Sequence, residues 1–288
     1  MIRRRPMKTN RTGSSGACSA LARGGGAIVL HWKGDSDPAG PQRWQGLIAA
    51  MDHGVSSGPL AGLEDIRKAV ANVAKGGATA VVLHKGSVRF AKDYFDEKLA
   101  LILHLSASTS LSPRADRKVA VTRVEEAISY GADAVSVHVN LGGEDDDRML
   151  GDLGTAAMDC DRLGFPLLAM MYARGPALRD PYDVDVVRHA ARVGAELGAD
   201  IVKTTYTGSA ETFREVVRGC SVPVVVAGGP TLDSDRSVLE MVAGGLAAGA
   251  AGVSIGRNIF QSKDPMSMTR AIARMVFDGA SIDEVYRG

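Results

Sequence analysis

The sequence predicts an α/β protein built as a single (β/α)8 TIM barrel. Eight short apolar, β-branched runs follow one another from Gly46 onward, and amphipathic helical patterns separate several of them. The runs are apolar at almost every position, which is typical of parallel strands buried on both faces. Gly-Ala pairs stand at four helix-to-strand junctions, where glycine suits the left-handed end of a helix. The 288 residues suffice for a barrel of about 250 residues.

The eight predicted strands lie in chain order at Leu47–Met51, Ala80–Leu83, Leu101–Leu105, Ala134–Val139, Pro166–Met171, Ile201–Lys203, Val222–Val226 and Gly252–Ile255. Helical patterns lie at Leu63–Lys75, Val121–Tyr130, Pro181–Leu197 and Ser209–Val217. An open doubly wound sheet is the alternative, but no GxGxxG fingerprint follows the first strand. We therefore expect the barrel domain to occupy residues 46–288.

The start of the chain differs from the rest, and we expect residues 1–45 to form a flexible N-terminal extension. This segment contains several arginines, the cluster ARGGG, and a stretch rich in proline, glycine and aspartate from Gly34 to Pro41. It lacks the sustained apolar region of a secretory signal. In the alternative interpretation, Ala27 to Trp32 form a short strand or a cap over one mouth of the barrel.

Composition excludes several classes of protein. The chain has 34 Lys+Arg and 33 Asp+Glu, so its net charge of +1 gives no basic field for nucleic acid. Its three cysteines, Cys18, Cys160 and Cys220, lack metal-type spacing and favour the reducing cytoplasm over a disulfide scaffold. No run of about 18 apolar residues is present, so we expect no membrane partner.

Barrel enzymes place their chemistry at the carboxyl ends of the strands. In this chain those ends carry Asp52-His53, His84-Lys85, His104, His138–Asn140, Tyr172, Lys203, Gly228-Gly229 and Gly256-Arg257. Lys203 is the leading candidate nucleophile, because a poorly solvated amine loses its proton more readily and then attacks a carbonyl to form an imine. The alternative is a buried lysine that is ion-paired with Asp200 or Asp52.

Asp52 and Tyr172 are candidates for moving protons beside such an imine. Alternatively, Asp52 orients a loop through a salt bridge and Tyr172 packs as an aromatic side chain at the rim. Lys85 is a rival nucleophile or a binder of substrate anions. His53, His84, His104 and His138 end four different strands and are either interior and substrate-contacting residues or ligands of a metal. We favour the former, and expect no metal and no cofactor.

The last two strand ends are candidates for binding phosphate. Loops after these strands often hold phosphate in barrels, and glycines at Gly228, Gly229 and Gly256 allow backbone N–H groups to approach it. Arg257 adds charged hydrogen-bond donors. The alternative interpretation is a pair of tight turns with a surface arginine.

Seven segments occur together in an order that resembles the archaeal-type class I aldolases. They are MDHGVSSGP (51–59), LHKG (83–86), SVHVN (136–140), MMYARG (170–175), DIVKTTYTG (200–208), VVVAGGP (224–230) and GVSIGRNIFQ (252–261). The family includes fructose-bisphosphate aldolases and, closer to this chain, 2-amino-3,7-dideoxy-D-threo-hept-6-ulosonate synthases. The resemblance covers about residues 46–275 and does not include the N-terminal extension.

The resemblance implies a barrel in which Lys203 forms the Schiff base, Tyr172 is the general acid/base and Asp52 assists proton transfer. It also implies that Gly229, Gly256 and Arg257 hold the substrate phosphate, and that the enzyme is a homo-oligomer, with decameric rings as one form. The fructose-bisphosphate branch carries tryptophan where this chain has Met170. That difference favours the branch that makes seven-carbon amino keto acids.

Within that branch, the resemblance implies condensation of dihydroxyacetone phosphate with L-aspartate 4-semialdehyde, a step toward 3-amino-4-hydroxybenzoate in actinomycete secondary metabolism. The alternative is transfer of a three-carbon unit from a deoxyketohexose phosphate to the same semialdehyde, in a route to aromatic precursors. His53, His104, Lys85 and Arg174 are candidates for the amino and carboxylate groups of the acceptor. Two other classes stay open: a metal-dependent aldolase and a non-catalytic barrel that binds sugar phosphates.

Overall fold

A closed parallel barrel is the architecture of the chain, as the sequence predicts. The computed structural model describes residues 29–32, 44–176 and 178–286. The strands in this part of the chain are β1 (His31–Trp32), β2 (Trp44–Ala50), β3 (Ala80–Leu83), β4 (Ala100–His104), β5 (Ser106–Ala107), β6 (Val119–Ala120), β7 (Ala134–Leu141), β8 (Leu167–Ala173), β9 (Ile201–Thr205), β10 (Val224–Ala227) and β11 (Gly252–Ile255). The barrel runs β2-β3-β4-β7-β8-β9-β10-β11 with parallel pairing throughout, and β11 pairs with β2 to close it.

Helices follow the strands and surround the barrel. Within the described residues they are α1 (His53–Ser57), α2 (Ile66–Gly76), α3 (Lys85–Ala91), α4 (Val124–Ser129), α5 (Asp146–Leu163), α6 (Val184–Glu196), α7 (Ala210–Gly219), α8 (Asp235–Ala247), α9 (Arg257–Phe260), α10 (Pro265–Ala273) and α11 (Ile282–Val285), with a 3-10 turn at Lys92–Tyr94 and a π-helical turn at Arg274–Asp278. None of these helices has the length and apolar character needed to cross a membrane.

The predicted strands are confirmed, and two of them, Ala80–Leu83 and Gly252–Ile255, have the predicted bounds. Two others begin later than predicted: β8 starts after Pro166 and β10 after Pro223. Proline has no N–H to donate to a strand ladder, which explains both starts. The glycines of the four Gly-Ala junctions all have positive φ, as a left-handed helix end requires: Gly77, Gly131, Gly198 and Gly249.

Two apolar cores lie on the two faces of the barrel sheet. The outer core fills the space between strands and helices and contains, for example, Val81, Leu101 and Val202. The inner core fills the barrel below its carboxyl-terminal mouth with side chains such as Ile102, Leu168 and Ile201. Residues two apart on a strand share a face. The inner core therefore identifies which positions further along each strand point toward the barrel axis.

A short N-terminal segment closes the amino-terminal mouth of the barrel. Val29 and Leu30 are fully buried with the inner core, and β1 pairs antiparallel with the start of β2. The Thr79 hydroxyl donates a hydrogen bond of 3.0 Å to the Val29 carbonyl. This placement agrees with the alternative of a cap, as far as it concerns residues 29–32. The rest of the expected extension up to residue 43 lies outside the described residues.

Candidate active site

Polar side chains replace the inner core toward the carboxyl ends of the strands. Lys203 lies on β9 two residues after Ile201, so both point into the barrel, and Lys203 is only 5 % exposed. In the ladder it pairs with Met170 of β8 and Val225 of β10, two further inward positions. His104 on β4 and Tyr172 on β8 continue the inward faces of their strands in the same way.

The Lys203 amine lacks a carboxylate partner in this setting. The described residues form neither a hydrogen bond nor an ion pair with it, so the predicted alternative of a pair with Asp200 or Asp52 is not what the structure shows. Asp200 instead accepts a 2.8 Å hydrogen bond from the Leu167 N–H at the start of β8. Lys203 is therefore an inward-facing buried amine that no described carboxylate holds.

Asp52 follows β2 and lies among histidines. Its carboxylate is 3.7 Å from Nε2 of His104 and 3.8 Å from Nδ1 of His53. Burial raises the pKa of Asp52, but electrostatic interactions with His104, His53 and Lys203 outweigh burial and hold that pKa well below its usual value. Asp52 is thus an ionised carboxylate close enough to Lys203 for electrostatic interaction.

His104 is kept neutral by its surroundings. Its Nδ1 lies 2.8 Å from the Ser136 hydroxyl and its Nε2 lies 3.4 Å from the Ser106 hydroxyl. Burial lowers the pKa of His104 to about 3, although the Asp52 charge acts in the opposite direction. Burial also lowers the pKa values of His53 and His84. These rings therefore act as fixed neutral groups around the carboxylate.

The ring of Tyr172 contacts His138 and Arg174, and its hydroxyl forms no hydrogen bond with the described residues. Its ring centroid is 4.8 Å from that of His138, and the Arg174 guanidinium lies over the ring at 4.9 Å. His138 donates from Nε2 to the Asn140 side-chain oxygen at 2.8 Å. The Tyr172 hydroxyl makes no hydrogen bond with the described residues, which leaves it available to a substrate.

The loops after β10 and β11 are tied to each other at the opposite side of the mouth. Arg257 donates from Nη2 to the Gly229 carbonyl at 2.8 Å, and Asn258 donates to the Gly228 carbonyl at 2.7 Å. Gly229 has φ +65, a left-handed conformation that favours glycine. Nε of Arg257 is buried and has no hydrogen-bond partner among the described residues. These hydrogen bonds fix the two loops relative to each other.

Gly256 is required by a close approach of two strands. A Cβ at this position would lie 2.4 Å from Cε1 of His53 and 2.5 Å from the Ala50 carbonyl oxygen. His53 itself packs edge-on against Phe260, with ring centroids 5.4 Å apart. The end of β11 therefore lies directly against the start of the loop that carries Asp52.

Lys85 lies outside this cluster, and its expected role in binding the substrate stays a prediction. Its ammonium pairs with the Glu126 carboxylate at 2.9 Å and donates to the Val121 carbonyl at 3.1 Å, both from the loop and helix after β6. The inward face of β3 runs through Ala80 and Val82, so the next inward position is His84 and Lys85 points away.

Lys118 is a cation of the site that the sequence interpretation missed. It directly precedes β6 and is 8 % exposed. Its ammonium donates to the Ser108 hydroxyl at 2.6 Å and approaches the Ser56 hydroxyl at 3.5 Å. Because Lys118 comes from the β5–β6 hairpin and not from a barrel strand end, the strand-end rule did not select it.

The four histidines at strand ends do not form a metal-type cluster. Among the residues that the structure describes, no group of three or more His, Cys, Asp or Glu side chains is arranged to hold a metal ion. His84 and His104 pack edge to face, with centroids 5.2 Å apart. The positions of these rings match the expectation of interior residues.

A barrel that gathers a buried amine, an ionised carboxylate and a phenol at its carboxyl end has the groups of an imine-forming enzyme. The chain matches the description "DeoC/LacD family aldolase" over residues 46–262. It therefore belongs to the DeoC/LacD family of aldolases, and the resemblance seen in the sequence is confirmed.

Relatives and solved structures agree with this placement. A Streptomyces griseus 2-amino-4,5-dihydroxy-6-oxo-7-(phosphonooxy)heptanoate synthase is 44% identical over 236 residues, covering 82% of this chain and 86% of the relative. An Archaeoglobus fulgidus 2-amino-3,7-dideoxy-D-threo-hept-6-ulosonate synthase 1 is 44% identical over 83% of this chain and 88% of its own. A Schiff-base-forming fructose-1,6-bisphosphate aldolase has a similar structure, with 33% identity, a TM-score of 0.76, and coverage of 81% and 94% of the two chains.

Proposed function

We propose that this chain is a class I aldolase that uses Lys203 to condense dihydroxyacetone phosphate with L-aspartate 4-semialdehyde. The product is 2-amino-4,5-dihydroxy-6-oxo-7-(phosphonooxy)heptanoate, the compound in the name of the Streptomyces griseus relative. The observation that carries the proposal is the Lys203 amine, buried inside the barrel mouth without a carboxylate from the described residues. A solved archaeal fructose-1,6-bisphosphate aldolase with its catalytic lysine bound to a carbinolamine supports the chemistry.

In the first step the phosphate of the donor binds at the β10 and β11 loops. We place the backbone N–H groups of Gly229 and Gly256 and the Arg257 guanidinium at this phosphate; the Gly228 N–H already donates to the Ser254 carbonyl at 3.4 Å. The donor ketone then lies beside Lys203. The neutral amine adds to the carbonyl carbon, and loss of water from the carbinolamine leaves an iminium ion.

In the second step a proton leaves the hydroxymethyl carbon next to the iminium. The iminium accepts the electron pair of the broken C–H bond and becomes an enamine. Tyr172 gives its own hydroxyl proton to the water that leaves the carbinolamine, and the resulting phenolate takes up this C–H proton. The Asp52 carboxylate stabilises the positive charge that develops on the lysine nitrogen.

In the third step the enamine carbon attacks the aldehyde of the acceptor. A carbon–carbon bond forms, the aldehyde oxygen takes the proton from the Tyr172 hydroxyl, and the iminium is restored. Addition of water then releases the ketone product and the Lys203 amine. His53 and Arg174 lie at the mouth, where they are available to the acceptor.

The second candidate function is transfer of a three-carbon unit from a deoxyketohexose phosphate to the same semialdehyde. It has support because the Archaeoglobus fulgidus synthase is as similar to this chain as the Streptomyces griseus relative. Purified protein assayed with L-aspartate 4-semialdehyde and each donor in turn separates the two. The proposal requires turnover with dihydroxyacetone phosphate; turnover with only the deoxyketohexose phosphate, or with only fructose 1,6-bisphosphate, contradicts it.

The cellular setting and the assembly belong to the same proposal. We expect a cytoplasmic homo-oligomer, with a decamer as one form, whose product supplies an aromatic precursor. Light scattering of the full chain measures the assembly, and a strictly monomeric mass contradicts it.

A further inference from the structure

The ammonium of Lys118 lies at the mouth of the barrel without an opposite charge in contact. It is bound by two neutral hydroxyls, those of Ser108 and Ser56. None of the ion pairs among the described residues includes Lys118. Burial lowers the pKa of Lys118, the charges of Asp52 and Asp116 raise it, and Arg174 lowers it. Buried cations normally have a paired anion, so this arrangement suits an anion brought by a ligand.

Arg174 lies on the same side of the mouth and strengthens the positive potential. Its guanidinium covers the ring of Tyr172, and its charge acts on Lys118 and His138. Asp116, its nearest carboxylate at 4.0 Å, is 70% exposed at its side chain and is screened by solvent. This side of the mouth therefore has two cations, Lys118 and Arg174; the Asp52 charge acts on Lys118, but no described carboxylate contacts the Lys118 ammonium.

This positive region is opposite the phosphate loops across the barrel. The loop of Lys118 lies between β4 and β7. In the closed order of eight strands, β4 is four places from β10, and β7 is four places from β11. Lys203 on β9 and Tyr172 on β8 lie between the two regions. A substrate that reaches from one region to the other must carry an anionic group at each end.

We propose that Lys118 binds the carboxylate of the acceptor aldehyde and so selects for acceptors that end in an anion. The inference rests on the proposed function, in which the donor phosphate occupies the β10 and β11 loops. The product of that reaction is a chain of seven carbons, with a carboxylate at one end and a phosphate group at the other. The carboxylate accepts a charge-assisted hydrogen bond from the Lys118 ammonium, with Ser108 holding that ammonium in place.

Four acceptors that differ only in their polar groups test the proposal. L-aspartate 4-semialdehyde has both an amine and a carboxylate, succinic semialdehyde only the carboxylate, 3-aminopropanal only the amine, and propanal neither. We expect Lys118→Met to lower kcat/KM about 10- to 100-fold for the two carboxylate acceptors, as for a lost hydrogen bond between charged groups. Activity with propanal and 3-aminopropanal should not fall, and Lys118→Arg should restore part of the preference.

Two controls make the result specific. Lys68→Met removes an exposed lysine of α2 and should leave all four activities unchanged. Borohydride trapping with dihydroxyacetone phosphate alone measures the donor half-reaction and should be equal in wild type and Lys118→Met, which also shows that the variant folds. Equal losses for all four acceptors, or reduced trapping in the variant, overturn the role of Lys118. Absence of trapping in wild type overturns the proposed function and this inference with it.

Discussion

Gly256 is the position where one added methyl group tests the geometry of the site most sharply. Its Cβ would lie 2.5 Å from the Ala50 carbonyl oxygen, about 1 Å short of an ordinary van der Waals contact of about 3.5 Å. The carbonyl belongs to β2 and cannot rotate away, because β2 is fixed in the barrel by pairing with β3 and β11. In Gly256→Ala, the end of β11 must therefore move.

We expect Gly256→Ala to lower both the stability of the fold and the activity. Overpacking of this kind destabilises a fold by about 1–3 kcal/mol. Since Gly256 directly precedes Arg257 and touches His53, the same shift moves the proposed phosphate donors relative to Lys203 by about the missing 1 Å. A misplacement of that size costs about 100-fold in reactivity. We expect kcat/KM for dihydroxyacetone phosphate to fall by that order, with a smaller effect on the acceptor.

Urea denaturation measures the loss of stability, and steady-state kinetics measure the loss of activity. Gly151→Ala is the matched control, because Gly151 lies in α5 with nothing within 4 Å of an added Cβ. Alanine in a helix should stabilise that variant by about 0.5–1 kcal/mol and leave kinetics unchanged. Wild-type stability together with wild-type kcat/KM in Gly256→Ala would refute the argument that this close approach sets the site.

The remaining predictions concern proton transfer and pH. Tyr172→Phe should slow exchange of the donor C–H proton with deuterated water by about 10²- to 10⁴-fold, as measured by NMR; unchanged exchange would exclude Tyr172 as the proton carrier. His104 has a folded pKa of about 3 against 6.5 for a free histidine, so the unfolded chain takes up its proton first as pH falls. The contribution of His104 to the free energy of unfolding should therefore be fully present above pH 6.5. Between pH 6.5 and pH 3 the free energy of unfolding should decrease by about 1.4 kcal/mol per pH unit because of this one group. His104→Gln should reduce that slope in pH-dependent urea unfolding, and an unchanged slope would contradict the assignment.

Much of the fold was predictable because buried parallel strands carry an unusually clear pattern. Nearly continuous apolar runs and Gly-Ala junctions located all eight barrel strands. Errors at strand starts, as at Pro166, came from counting apolar residues without asking which ones donate an N–H. The β5–β6 hairpin was not predicted, and β1 was included only in the alternative that gives Ala27 to Trp32 a short strand or cap, because strands of two residues contain too few positions for any period to appear.

The site was predictable where a side chain belongs to a strand and less so elsewhere. Lys203 and Tyr172 lie on inward faces, which alternation fixes. The same alternation, applied from Val82 onward, would have directed Lys85 outward. Lys118 reaches the mouth through an irregular loop, and its position depends on contacts with Ser108 that no local pattern encodes. Tertiary folding, and not spacing along the chain, brings that cation to the site.

The identity of the nucleophile is the central claim, and one experiment tests it directly. Protein incubated with dihydroxyacetone phosphate is reduced with borohydride, digested, and examined by peptide mass spectrometry. We expect a reduced adduct of the donor on Lys203, and loss of both adduct and turnover in Lys203→Met. An adduct on Lys85 or Lys118, or turnover that survives in Lys203→Met, would contradict it.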